Sequence, residues 1–78
     1  MPHFERITFN PDILGGKACI RGMRIPVSLV VNLVANGMSN SEIIDEYPDL
    51  EETDIQAALH YAAWTVDDLI YRPKRLAA

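Results

Sequence analysis

Asn36–Ile55 reads NGMSNSEIIDEYPDLEETDI, and this stretch decides the fold. Gly37 stands where a helix C-cap glycine belongs, because only glycine takes the left-handed conformation without steric cost. Ser39-Asn40-Ser41-Glu42 is a capping box, in which Ser39 bonds a backbone N–H three residues on and Glu42 reaches back. A short helix over about Asn40–Glu46 follows, with Ile43 and Ile44 inward. Tyr47-Pro48 stops it, since a residue before proline avoids the helical region. Glu51, Glu52 and Asp54 then place negative charge at the start of a further helix, where the helix dipole favours it. One helix ends, a second is complete and a third begins within twenty residues.

Upstream, Val27 to Asn36 reads as the first helix. Its polar residues Ser28, Asn32 and Asn36 are spaced four apart on one stripe and every other position is apolar, which predicts a largely buried helix with one narrow open face. Before it, Ile7, Phe9 and Ala18–Ile20 favour strands, while Asn10-Pro11-Asp12 and Gly15-Gly16 are turn signals. Arg21-Gly22-Met23-Arg24 reads as the turn of a hairpin joining Ala18–Ile20 to Met23–Pro26. Pro26 cannot donate to a ladder, so it ends the second strand or opens the first helix. Downstream, the third helix is predicted to run to about Ile70, before Pro73, with Ile55, Leu59, Ala62, Val66 and Leu69 as its core stripe. The fold class is mainly α: short N-terminal strands, then a three-helix, helix-turn-helix-like bundle.

The chain has 78 residues, which bounds it at one domain: a hairpin region (1–26), a tri-helical region (27–71) and a basic tail (72–78). A domain this short buries only about 60% of its unfolded surface, so stability is marginal without a further staple. Cys19 is the only cysteine, which excludes an internal disulfide, and His3 and His60 have no Cys-x-x-Cys pair to join in a zinc site. Self-association, as a homodimer, is the staple that remains. No apolar run approaches the ~20 residues of a membrane span. The first ten residues lack the layout of a signal peptide, and a lone cysteine fits a reducing compartment, so the expected location is cytoplasmic.

The net charge of −4 is unevenly placed. Residues 1–37 carry a net +2, residues 38–71 hold no Lys or Arg and carry −9, and residues 72–78 carry +3. Basic ends can meet acidic middles between subunits, or can meet an anionic partner. In a helix-turn-helix the second helix of the motif reads bases with its N-terminal residues. Here that helix opens on Glu51, Glu52 and Asp54, and phosphate binding depends on cations that the segment lacks. Were DNA bound, Lys17, Arg21 and Arg24 would carry the contact, presented twice by a dimer.

On the third helix, His60, Tyr61, Trp64 and Tyr71 cluster on the side away from Ile55 and Val66. Trp and Tyr are favoured interface anchors. Either the chain's own N-terminal strands or a subunit or partner covers this face. Motifs for chemistry are lacking. Gly15-Gly16-Lys17 has Pro11 and Ala18 where a phosphate-binding loop needs glycine and a hydroxyl residue. Cys19 sits in a strand without an adjacent base. The acidic pairs Asp45/Glu46, Glu51/Glu52 and Asp67/Asp68 point apart on helices. No catalytic, cofactor or metal site is expected, and no small-molecule substrate; the expected activity is binding and not catalysis.

Asn10-Pro11, Gly15-Gly16-Lys17, Ile20-Arg21-Gly22, Arg24-Ile25-Pro26-Val27, Gly37-Met38-Ser39, Ile43-Ile44, Tyr47-Pro48-Asp49-Leu50 and Asp54-Ile55-Gln56-Ala57-Ala58-Leu59 stand in order. Together, over about Ile7 to Trp64, they resemble the bacterial domain-of-unknown-function 433 family. The resemblance implies a homeodomain-like helix-turn-helix fold and an antitoxin of the VapB type, whose partner would be a PIN-like, metal-dependent ribonuclease. Operon autorepression would be a further role. Ala18, Met23 and Glu51 depart from the family's frequent Pro, Thr and Thr, and the last change removes an N-cap hydroxyl worth about 1 kcal/mol. PIN-type nucleases resemble one another in a carboxylate-rich active site, which an arginine can engage in two-pronged fashion. Arg72, Lys74 and Arg75 are the residues expected to form such a plug, anchored by Tyr71 and Trp64.

Overall fold

A computed structural model describes residues 4–67. Two short strands, β1 (Ile7–Thr8) and β2 (Cys19–Ile20), precede three helices, α1 (Val27–Ala35), α2 (Asn40–Glu46) and α3 (Glu52–Thr65). The fold is mostly helical, as the sequence predicts. The strands are antiparallel, with Ile7 opposite Ile20 and Thr8 opposite Cys19.

The expected pairing of Ala18–Ile20 with Met23–Pro26 is present in part. The turn forms, with Arg21 and Gly22 both at positive φ and the Met23 N–H donating to the Ile20 carbonyl at 2.8 Å. Two central residues at positive φ are the turn that suits strand twist. Beyond it, Cys19 and Pro26 form an antiparallel bridge, made by bonds from the Ile20 N–H to the Ile25 carbonyl at 3.0 Å and from the Val27 N–H to the Ala18 carbonyl at 2.9 Å. The pairing goes no further, because the Ile20 carbonyl is taken by the Met23 N–H and Val27 begins α1, with Pro26 as its N-cap. The two-stranded ladder itself forms on the other edge of β2, with β1. Between the strands, Leu14, Gly15 and Gly16 all adopt positive φ, which confirms Gly15-Gly16 as a turn.

The helix boundaries follow the local chemistry. Gly37 closes α1 at φ +90°. Ser39 Oγ accepts from the Glu42 N–H at 3.2 Å, and Glu42 Oε1 accepts from the Ser39 N–H at 2.8 Å, completing the capping box of α2. α3 ends at Thr65, earlier than the expected Ile70; Leu69 and Ile70 lie outside the described residues. Thr65 and Val66 are β-branched, the last turn holds no basic residue, and the acids that follow oppose the negative end of the helix dipole. The Thr65 hydroxyl donates to the Ala62 carbonyl at 2.7 Å, drawing off an acceptor of that turn.

The core comprises Ile7, Ile20, Val27, Val30, Ile43, Leu50, Ile55 and Ala58. On α3 the buried residues are Asp54, Ile55 and Ala58. The stripe is thus rotated from the expected one: Leu59 and Ala62 are half-buried and Val66 is 78% exposed. α1 also differs from expectation. Only Val27 and Val30 are buried, while Leu29, Val31, Leu33 and Val34 remain half-covered. The bundle leaves α1 with little beneath its second apolar side.

Candidate functional site

The first turn of α3 carries the fold's one buried charge among the described residues. Asp54 is 0% exposed. Arg6, from the segment entering β1, donates through Nη1 to Asp54 Oδ1 at 2.7 Å and to Glu51 Oε1 at 2.9 Å. Arg21, in the hairpin turn, donates through Nε to both Asp54 oxygens at 3.0 and 3.2 Å, and through Nη2 to Oδ2 at 2.8 Å. Nη2 also donates to the Asp49 carbonyl at 2.8 Å. The Glu51 N–H completes the set, donating to Asp54 Oδ2 at 2.8 Å. This last bond is the reciprocal half of a capping box at the start of α3, in which Asp54 reaches back to the backbone N–H of the N-cap residue Glu51.

Burial alone pushes the Asp54 carboxyl up; the hydrogen bonds from Arg21, the Glu51 N–H and Arg6 outweigh it and hold the group at about 2. A buried ion is tolerated when its lone pairs are filled in this way. The clasp joins the N-terminal segment, the hairpin turn and α3, and it holds Arg21 at φ +43°, a conformation that costs a non-glycine residue energy. Its sequence signal is the spacing of Asp54, Ala58 and Tyr61: an acid on an inward helical stripe needs a cationic partner, and Arg6 and Arg21 precede it.

The other half of α3 is apolar and open. Phe4 meets Tyr61 edge-on, with ring centroids 5.3 Å apart at 85°, and Trp64 at 5.8 Å. Phe9 lies 5.8 Å from Tyr61, and Tyr61 lies 5.9 Å from Trp64. The chain's own N-terminal segment therefore covers Tyr61. Phe9 and Trp64 remain 44% and 37% exposed, and His60 beside them is exposed. Behind Tyr61, an open groove of about 440 Å³ runs between α1 and α3, lined by Ala18, Val27, Val31, Tyr61 and Ala62, with Lys17, Ser28, Asn32 and Thr65 supplying polar atoms.

Of the partner-binding residues expected from the sequence, Tyr61, Trp64 and His60 come together on this half of α3. Tyr71, Arg72, Lys74 and Arg75 lie outside the described residues. Of the cations expected to carry any DNA contact, Arg21 is occupied by Asp54, Lys17 lines the groove, and Arg24 is exposed in the hairpin. Phe4 and Phe9 complete the cluster, so at Tyr61 the first of the two alternatives holds and the N-terminal segment is the cover. The front of α3, where a helix-turn-helix reads DNA, exposes Glu52, Thr53 and Gln56 beside Asn40, whose amide donates to Glu52 Oε2 at 3.3 Å. Among the described residues no group of three or more His, Cys, Asp or Glu could hold a metal ion, and no helix is long and apolar enough to cross a membrane.

A family profile described as "Protein of unknown function (DUF433)" matches residues 7–62. The chain belongs to the DUF433 family. A crystal structure of a DUF433 member from Anabaena variabilis ATCC 29413 superimposes with a TM-score of 0.70 at 37% identity, over 76% of this chain and 58% of that one. The uncharacterized protein y4eO of Sinorhizobium fredii (strain NBRC 101917 / NGR234) is 41% identical over 58 residues, 74% of this chain. The present chain spans 26% of that relative's length. The DUF433 segment takes in Arg21 and Asp54 of the clasp, and Phe4 and Trp64 lie just beyond its two ends.

Proposed function

We propose that this DUF433 chain is an antitoxin-like binding module that docks a PIN-like ribonuclease on the open aromatic edge of α3, and that it acts by binding and not by catalysis. The exposure of Phe9 and Trp64 carries the reading. A small domain short of core would be expected to bury such rings, and Trp and Tyr dominate binding energy where partners meet. The ribonuclease as partner follows from the family resemblance. DNA binding has weaker support, because Arg21 is occupied and the front of α3 is acidic.

The test is recovery of the tagged chain from its native cell, followed by mass spectrometry and an RNA-cleavage assay on the partner. A stoichiometric PIN-like ribonuclease, silenced by the chain and freed by a Phe9→Ala, Trp64→Ala double variant that keeps its circular dichroism, is the expected result. Absence of such a partner, or undiminished inhibition by the double variant, would overturn the reading.

A further inference from the structure

We propose that the groove between α1 and α3 is an interface with a second copy of this chain, arranged about a two-fold axis that passes beside Asn32.

The argument begins with charge. The chain carries a net −4, so two copies repel overall, and a contact between like surfaces is opposed least where those surfaces are free of charge. α1 holds no Asp, Glu, Lys or Arg, and neither does Ile55–Val66 of α3. These two segments are the long walls of the groove, and Lys17 is its one charged lining residue. The acids lie elsewhere: Glu42, Asp45 and Glu46 line a dent beside Met38, and Glu52 lines another with Asn40. Interface cores are depleted of charge in this way, with polar groups left at the rim. A strongly charged partner would find little to pair with here, whereas a second copy brings an equally neutral wall.

The polar atoms of α1 suit the symmetry. In a two-fold contact the residue at the axis meets its own copy, so a polar residue there is satisfied only if it can both donate and accept. Asn32 is the middle of the stripe Ser28, Asn32, Asn36. Antiparallel packing of α1 on its copy sets Asn32 against Asn32 and Ser28 against Asn36, with steps of about 6 Å along each helix. The Asn36 amide donates to the Asn32 carbonyl at 2.8 Å, which leaves its side-chain oxygen to accept from a Ser28 hydroxyl. The flanking Val31 and Ala35 are small enough for close approach, and the half-covered side of α1 gains the cover that the bundle does not provide. This inference is independent of the ribonuclease reading, which rests on Phe9 and Trp64.

Sedimentation velocity on the full chain, from micromolar to millimolar concentration, tests it. The unmodified chain is expected to dimerise. Asn32→Lys sets two like charges together at the axis and should weaken the dimer by roughly tenfold or more. Asn32 is exposed and Lys is the better helix former, so the circular dichroism should not change. Asn32→Glu should act alike, and mixing the two variants should restore association, because each residue then faces its opposite. A monomer throughout, a dimer indifferent to both substitutions, or a mixture that fails to associate would each overturn the proposal.

Discussion

The two halves of α3 solve opposite problems. Its first turn encloses a carboxylate with every lone pair engaged, reached by residues 48 and 33 positions earlier in the chain. Its last two turns carry rings and aliphatic groups that the rest of the bundle covers only in part. An ion buried without partners costs far more than exposed hydrocarbon, so the N-terminal half must be complete within the chain, and the C-terminal half can stay unfinished. One half therefore fixes the fold, and the other leaves open the surface that the proposed partner would occupy. Substitutions in the first should change stability most, and those in the second should change association.

The largest expected effect is that of Asp54→Ala. It leaves two guanidinium groups without their shared anion, removes the cap on the Glu51 N–H and empties a fully buried site. The arginines left behind are about a third exposed and water can reach them, so the cost comes from the emptied site and the lost hydrogen bonds, roughly 2 kcal/mol, measurable as a shifted urea midpoint at unchanged slope. Arg21→Ala should shift the midpoint more than Arg6→Ala, since Arg21 grips both carboxylate oxygens and the Asp49 carbonyl while Arg6 reaches one carboxylate oxygen of Asp54. Equal shifts would mean that the clasp acts through charge alone.

The same carboxylate sets the acid limit of the fold. Its folded value of about 2 lies below the ordinary 3.8, so the unfolded chain takes up the proton first as pH falls. The contribution is fully present above about pH 4 and is lost on descending through pH 2, and it amounts to roughly 2 kcal/mol. Urea titrations at stepped pH check the sign. In Asp54→Asn the loss over this window should shrink by about that amount, and an unchanged acid profile would remove Asp54 from its place as the fold's acid-sensitive group.

How much of this contrast is legible in the sequence depends on the range of the interactions. Gly37, the Ser39–Glu42 box and Tyr47-Pro48 act within a turn or two, and the helices they bound are found where local chemistry sets them. Ladder choice is not local. The Met23–Pro26 pairing stops at one bridge because the Ile20 carbonyl turns to the Met23 N–H and α1 begins at Val27, while the ladder with β1 depends on where the N-terminal segment folds back. The inward stripe of α3 was misplaced because Ile55 fits two stripes equally well. Only the Arg6 and Arg21 contacts select the one through Asp54 and Ala58, and that choice also leaves Val66 outside. On the open half, Tyr61 and Trp64 are readable as an aromatic face from helical spacing, while the covering of Tyr61 by Phe4 requires knowing how the N-terminal segment folds back.

Gly37 gives an intermediate test that belongs to neither half of α3. A Cβ there meets nothing within 4 Å, yet φ is +90°. Gly37→Ala therefore probes backbone strain without packing, and about 1 kcal/mol of destabilisation is expected in thermal or urea unfolding. A cost much larger than this would mean that the link from α1 to α2 is held by contacts and not by its turn.

The smallest expected effect sharpens the contrast most. Val66 is apolar and β-branched, one turn past Ala62, and by periodicity alone it belongs to the core. At 78% exposure it has little apolar area to lose. Val66→Ser should change stability by no more than about 0.5 kcal/mol, the scale of a surface substitution, whereas Ile55→Ser on the same nominal stripe combines a cavity with a buried hydroxyl and should cost several times as much. Comparing the two by urea unfolding asks whether α3 keeps one inward face along its length. If Val66→Ser costs as much as a core substitution, the final turn of α3 is covered in solution, and the proposed division between a finished half and an open one fails at the point where it is most exposed.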